Sequence, residues 1–515
     1  MAEEVIKTES SEKNKRVLRN ILSYLLYDAT LIIFGLVLPK LYLESFGSEV
    51  NGLVSTIKDI FYYLSLLEAG VGLASQQALF KPVASDDRKG VNSILAATRH
   101  YYLRIGLIYS AISFGFAAIY PICVSSSLGY FTVFIIILLY AVPGVLSFLV
   151  QGKYRAFMEV EGKAYVMTNL TTVSTLVGNV VRLLCLILSN NLILIQATYC
   201  LPSILQVFVL VIYVRKKYPW TNFREKPNIK ALSQKNSVLV HQISNVVFSN
   251  TDSIVISMIC GLKQASVYTI YMLFFSNLEK LLQAFTGSIH FRLGQMFHSD
   301  REKFNVWYDI YEMIYIMMAY IFYTVIAAFL LPIIRIYTSG VNDVNYINST
   351  MVILFASVNM LSNVRAPSNS VIIYAGKFDK TRHQAIIEMT INIVVSIIAT
   401  YRFGIIGCLI GTICALLYRC TAMINFTNRK ILNKSNISSF RRFLVNTLVC
   451  TAVLLILGVD SCEPRGYIYI ALQAVLNALW IAPLFIAANA FTEWHIYKRV
   501  PEFIKFLMSK FKKAN

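Results

Sequence analysis

The sequence predicts an all-α integral membrane protein of about fourteen transmembrane helices, built as two six-helix halves followed by two C-terminal helices. Three observations predict it. Hydrophobic residues make up 57% of the 515 and charged residues only 14%, against roughly 45–50% apolar and about 25% charged in soluble domains. Fourteen apolar runs are long enough to cross a bilayer. The segments between them alternate between basic and nearly uncharged, as loops on opposite sides of a membrane do. With about 20 residues in each helix the loops are too short for a folded domain. That excludes a receptor with an ectodomain, a pump with a nucleotide domain, and a soluble enzyme on a single anchor.

In chain order the runs fall at about 20–42, 51–75, 101–123, 130–152, 165–189, 192–214, 237–260, 265–289, 306–334, 347–375, 385–402, 404–424, 443–459 and 467–490. The polar N-tail, 1–19, is mixed in sign, and the first run is too long for a cleaved leader, so it reads as a retained signal anchor. The N-half spans 20–214, a basic linker 215–236, the C-half 237–424, the extra pair 443–490, and a basic C-tail 491–515. Thirty-six of the 47 Lys and Arg residues lie in the two tails and the loops on their side; the other loops and the span ends beside them hold only Lys40, Lys263, Arg335, Arg402 and Arg465. Both termini are therefore expected in the cytoplasm. The formal charge of +20 is then a consequence of topology, with contact to membrane lipids secondary, and nucleic acid is not an expected partner.

The halves repeat span count and loop lengths, and FGSEVNGLVSTI (46–57) occupies the place of CGLKQASVYTIY (260–271); such repeats are a common plan of secondary transporters. Nine scattered cysteines without a CxxC read as small core residues. Apolar patches in the inside loops, Gln76 to Phe80 and Ile94 to Ala97, are expected at the membrane surface.

A charge at the bilayer centre costs at least about 2.5–3.5 kcal/mol, so it usually faces a bundle interior or a wet cavity. Helical phase groups the intramembrane polar residues into stripes. Asp28 lies on the first span and Lys58 on the second. Asn179 and Arg182 share a face of the fifth, and His241 and Asp252 one of the seventh. Lys280 lies on the eighth, Arg365 and Asn369 on the tenth, and Glu388 with Asn392 and Ser396 on the eleventh. Lys58, Arg182, Lys280, Arg365, Asn179 and Asn369 form a candidate substrate pathway, because cations at successive depths can replace the hydration of an anionic head group. Asp28, His241, Asp252 and Glu388 are candidates for ion or proton coupling. The competing readings are packing seams for the uncharged members and internal ion pairs, Lys58 with Asp59 or Lys280 with Glu279. Arg104, Asp309, Glu312 and Arg419, near inner span ends, are expected to snorkel. There is no GxxxxGK[ST], HExxH, GxSxG or Asp-rich loop, so no metal, cofactor or enzymatic activity is expected.

The stretch FGSEVNGLVSTIKDIFYYLSLLEAGVGLASQQALFKP (46–82) resembles the opening hairpin of bacterial polysaccharide-repeat flippases of the Wzx type, members of the multidrug, oligosaccharidyl-lipid and polysaccharide (MOP) exporter superfamily. The matching points are Gly47, Val50 to Leu53, and the run from Leu67 to Gly72. The resemblance implies a V-shaped cavity between the halves, lined largely by the first, second, seventh and eighth spans. It implies alternating-access transfer of an undecaprenyl-diphosphate-linked oligosaccharide from the cytoplasmic to the periplasmic face of the bacterial inner membrane. The product would be O-antigen of lipopolysaccharide, capsule or exopolysaccharide, with a repeat polymerase and glycosyltransferases as partners. A second reading is a multidrug or cation antiporter of the same superfamily, with Asp28 as its ion-binding acid. A third, a membrane glycosyltransferase or polymerase, is disfavoured by the short outside loops.

Overall fold

The computed structural model describes residues 2–68, 71–124, 126–223, 225–229 and 251–509. Among them the structure is helical almost throughout, with no strand. The helices used below are α1 (Ala2–Ser65), α2 (Val71–Ala84), α3 (Arg88–Cys123), α4 (Tyr130–Leu146), α5 (Gly152–Val160), α6 (Ala164–Leu188), α7 (Leu192–Ala197), α8 (Leu201–Lys217), α9 (Leu262–Ser299), α10 (Arg301–Tyr337), α11 (Ser349–Tyr374), α12 (Phe378–Phe403), α13 (Ile405–Thr427), α14 (Ile437–Leu457) and α15 (Tyr467–Thr492).

Ten helical stretches among the described residues are long and apolar enough to cross a membrane, against fourteen apolar runs in the sequence. The first two runs form one stretch, Asp28–Ser65, bent at Gly47. The seventh is described only from residue 251, and His241 lies outside the described residues. The eighth and tenth, α9 and α11, are 38 and 26 residues long but are interrupted by Glu279 and Lys280 and by Ser362, Arg365 and Asn369. The second run is also not continuous: a 3-10 turn at Leu66–Glu68 separates the second arm of α1 from α2.

Gly47 has φ 77° and Gly261 φ 88°, a conformation that L side chains resist. Each stands just before a helical segment, Ser48 onward in the first case and α9 in the second. The two stretches aligned in the sequence thus use the same device to turn the chain.

The chain divides into two compact units, Met1–Leu262 and Lys263–Asn515. The division falls beyond the basic linker because the segment from 251 packs on the first unit: Tyr63 Oη lies 2.6 Å from Thr251 Oγ1, Tyr120 Oη donates to Ser257 Oγ at 3.2 Å, and Leu262 joins the first core. That core gathers Leu53, Ile57, Ile136, Ile137 and Ile195 from α1, α4 and α7. A second cluster of the same unit contains Leu79, Ile94, Leu95, Phe157 and Leu210. One of the two patches expected at the membrane surface is thereby corrected: Ile94 to Ala97 are buried, because α2, α3 and α5 cover one another's apolar faces, whereas in Gln76 to Phe80 Leu79 is buried and Phe80 is exposed.

In the second unit, α12 and α13 approach closely through small residues. A Cβ on Gly407 would stand 2.1 Å from the Ala399 carbonyl oxygen, and one on Gly411 2.3 Å from Ser396 Oγ, the small-xxx-small packing of membrane helices. Asn392 Nδ2 donates to Thr412 Oγ1 at 3.0 Å and Ser396 Oγ to the Cys408 carbonyl at 3.2 Å, so the polar stripe of the eleventh span is a seam between helices. The snorkelling expected of Glu312 and Arg419 is also corrected: both are buried. Glu312 is fully buried, ion-paired to Arg442 and accepting from Ser439 Oγ at 2.8 Å. Arg442 reaches Glu493 at 2.8 Å, and Asp309 takes Lys434 at 2.6 Å. Glu312 thus faces α14, and Asp309 faces the segment just before it. All nine cysteines are free.

Candidate functional site

Prolines and a glycine hollow out a space in the first unit. Pro39 in α1 has no N–H to give the Gly35 carbonyl, and a Cβ on Gly35 would meet nothing within 4 Å. Opposite, the chain between α7 and α8 tightens into a 3-10 turn, Thr198–Cys200, in which Leu201 N–H donates to the Thr198 carbonyl. Pro202 accounts for it: in a continuous helix its ring would clash with that same carbonyl. Gly178 on α6 admits the ring, since a Cβ there would lie 2.4 Å from Pro202 Cγ.

The result is a cavity of about 330 Å³. Its lining includes Gly35 and Pro39 of α1, Lys58 of the second arm, Pro143 of α4, Thr175, Asn179 and Arg182 of α6, and Tyr199, Ser203 and Gln206 beyond α7. The volume is at the lower end of small-molecule sites, roughly 300–1,000 Å³.

Arg182 is held firmly. It is 5% exposed; its Nε donates to Thr198 Oγ1 at 3.2 Å and its Nη1 to Asn179 Oδ1 at 3.4 Å. Thr198 spends its own hydrogen on the Ile195 carbonyl at 2.6 Å, which turns its lone pairs toward the guanidinium. The guanidinium carbon lies 5.1 Å from the Tyr199 ring centre, and Tyr199 stacks on Tyr140 at 4.1 Å. All these partners are neutral. A guanidinium has five N–H donors, so those not engaged by Thr198 and Asn179 are open to a ligand. Lys58 is exposed on the cavity wall. Among the described residues neither Lys58 nor Arg182 has a carboxylate within 4.0 Å, and the pairing of Lys58 with Asp59 does not form.

The remaining candidates lie elsewhere. Asp28 is exposed on α1, one turn before Leu31 of the cavity lining, and Asp252 is buried in the segment from 251. Lys280 and Asn369 are exposed in the second unit. Lys280 has no ion pair with Glu279, which instead accepts from Gln283 Nε2 at 3.3 Å. Arg365 is ion-paired to the buried Glu388, which also holds Arg419. The structure therefore brings together Lys58, Asn179 and Arg182, and sets Arg365 and Glu388 in an ion pair with each other.

Sequence reasoning missed Thr198, Tyr199, Ser203 and Gln206. The signal was present: Gln196, Tyr199, Ser203 and Gln206 recur at intervals of three and four around Pro202, the same phase test that singled out Arg182.

The sequence matches no protein-family profile and no curated protein. Its fold does match solved structures. The lipid II flippase MurJ, in an inward closed conformation, superposes with a TM-score of 0.64 at 14% identity, over 92% of this chain and 99% of that one. An inward-facing multidrug resistance MATE family transporter of the MOP superfamily gives 0.59 at 12%, over 82% and 95%. A MOP superfamily transporter from Pyrococcus furiosus, described as having a binding pocket of reverse polarity, gives 0.50 at 11%, over 85% and 96%. At these identities the likeness is one of fold. The chain has the fold of MOP superfamily transporters and is a multi-pass membrane protein.

Proposed function

We propose that this protein is a flippase of the bacterial inner membrane that carries undecaprenyl-diphosphate-linked oligosaccharide repeat units from the cytoplasmic to the periplasmic face by alternating access, supplying O-antigen, capsule or exopolysaccharide synthesis. Both termini are cytoplasmic in this reading. One observation carries it: Lys58 and Arg182 face one small cavity with no acid in ion-pair range among the described residues. A buried cation without a counter-charge is expensive, and an anionic ligand supplies the missing charge. A diphosphate needs such replacement of its hydration to leave water, and an Arg fork with unspent donors offers paired bonds to phosphate oxygens. A protein of the same fold is named for flipping lipid II, a lipid-linked cargo. Lys280 and Asn369, exposed in the second unit, would belong to the same pathway.

A second reading, a multidrug or cation antiporter, is favoured by one feature: Asp28 is exposed next to the cavity helix face. Proteoliposomes loaded with a fluorophore-tagged undecaprenyl-diphosphate oligosaccharide separate the two. Access of the tag to a membrane-impermeant quencher should change with wild-type protein and not with Arg182→Ala. Proton-coupled uptake of an organic cation, with the lipid immobile, would overturn the flippase reading.

A further inference from the structure

In the first unit, along the first half of α3, α5 and the end of α8, lies a group of cations outside the cavity. Several have an acid at hand: Arg88 has Asp86 at 3.9 Å, Arg155 has Glu68 at 3.9 Å, and Lys163 has Glu161 at 3.3 Å. Arg99, Lys153 and Arg215 have none within 4.0 Å among the described residues. They are also neighbours. Lys153 Nζ lies 5.0 Å from the centre of the Tyr154 ring and 4.9 Å from that of Phe223. Arg99 Nη1 donates to the Phe223 carbonyl at 3.4 Å. Both Arg99 and Arg215 act electrostatically on the Tyr154 phenol, and Arg99 acts on Lys153. Lys153 and Arg99 are half-buried, and Arg215 is exposed.

The frame around them is fixed. The segment after α8 is strapped across the start of α3: Asn92 Nδ2 donates to the Trp220 carbonyl at 3.2 Å, Asn222 N to Asn92 Oδ1 at 2.9 Å, Ser93 Oγ to the Lys226 carbonyl at 3.0 Å, and Asn228 N to the Ser93 carbonyl at 3.2 Å. Phe223 is thus held over Lys153 before any ligand arrives. Ring faces give an ammonium modest attraction but do not cancel the repulsion of Arg99 nearby.

We propose that Arg99, Lys153 and Arg215 form a second anion site that takes the phosphate of a lipid headgroup at the membrane surface. This site stands apart from the Lys58 and Arg182 cavity and does not depend on the flippase reading. Three cations around a preformed aromatic frame suit a phosphate oxygen set, with Arg99 and Lys153 as the inner donors and Arg215 at the open edge. The segment carrying Trp220 and Phe223 fits a position at the interface, where amphipathic rings sit.

The test uses the full chain in nanodiscs of phosphatidylcholine alone, with phosphatidylglycerol, or with undecaprenyl diphosphate, reading retained lipid by native mass spectrometry, with inorganic phosphate as a competitor. Lys153→Gln and Arg99→Gln should each lower retention of the anionic lipid about fivefold, whereas Lys89→Gln, an exposed cation at the same end, should not. Equal retention of both anionic lipids supports a site for headgroup phosphate in general, and preference for undecaprenyl diphosphate supports a docking site for that carrier. Full displacement by inorganic phosphate overturns the lipid assignment. An equal loss in Lys89→Gln, or no loss in Lys153→Gln and Arg99→Gln, overturns the site itself. Arg182→Ala should leave this retention unchanged, so failure here and failure of the transport assay are separate results.

Discussion

Arg365 and Glu388 are ion-paired between α11 and α12, Nη1 to Oε1 at 2.5 Å, and the second carboxylate oxygen lies 3.2 Å from Arg419 Nε. Two guanidiniums thus share one buried acid, and the three substitutions are not equivalent. Glu388→Ala removes the buried acid that both guanidiniums share and should cost about 3–5 kcal/mol. Arg365→Ala leaves Glu388 its bond to Arg419 and should cost less. The double variant should be more stable than Glu388→Ala alone. Thermal unfolding in detergent checks the order; a double variant worse than either single would refute the shared-acid account.

At Arg182 the expectation is the reverse, a loss of activity with little loss of protein. Arg182→Lys keeps the charge but not the Nε bond to Thr198 or the planar contact on Tyr199. Flipping should fall about tenfold or more at normal membrane abundance, whereas Lys58→Arg, on an exposed wall position, should be milder. Equal activity of Arg182→Lys and wild type would remove the fork from the mechanism.

Two glycines near the cavity should part company. A side chain at Gly35 has open space before it, so Gly35→Leu should fold normally and obstruct the cavity, abolishing transport at unchanged melting temperature. At Gly178 an added Cβ meets Pro202 Cγ at 2.4 Å, so Gly178→Ala should lower stability by about 1–3 kcal/mol. Paired measurements of melting temperature and flipping decide it.

Topology is open to reporter fusions. Those at Lys226 and Ser435 should read cytoplasmic and one at Asn342 periplasmic. Tyr346 is a poor insertion point although it lies in the same loop. Its hydroxyl is 2.9 Å from Ser266 Oγ, and its carbonyl accepts from Tyr271 Oη at 2.7 Å. A periplasmic signal from Lys226 would overturn the division into two six-span halves.

The sequence carried the helices well because each span is a long one-dimensional signal, and loop charge checked the count independently. Helical phase also carried Asn179 and Arg182 to one face of α6. What it did not carry is partner choice between helices. Nothing in the chain near Arg365 says that Glu388 will neutralise it while Arg182 is held by the neutral Asn179, Thr198 and Tyr199. Arg419 and Glu312 were read by depth alone, and depth cannot distinguish a snorkelling side chain from one held by an acid or base far along the sequence. The 3-10 turn at Thr198–Cys200 escaped because Pro202 interrupts an otherwise unremarkable apolar run.

The cluster that joins Glu312 to Arg442 and Glu493 sets an order on the making of the protein. Glu312 leaves the ribosome 130 residues before Arg442, and Arg442 a further 51 before Glu493. Until then α10 carries a carboxylate that belongs in the interior and lacks its buried guanidinium partner, a state the hydrocarbon tolerates poorly. The buried pairing is complete only once α14 and Glu493, just after α15, have been made, which places the neutralisation of Glu312 late in the synthesis of the second unit.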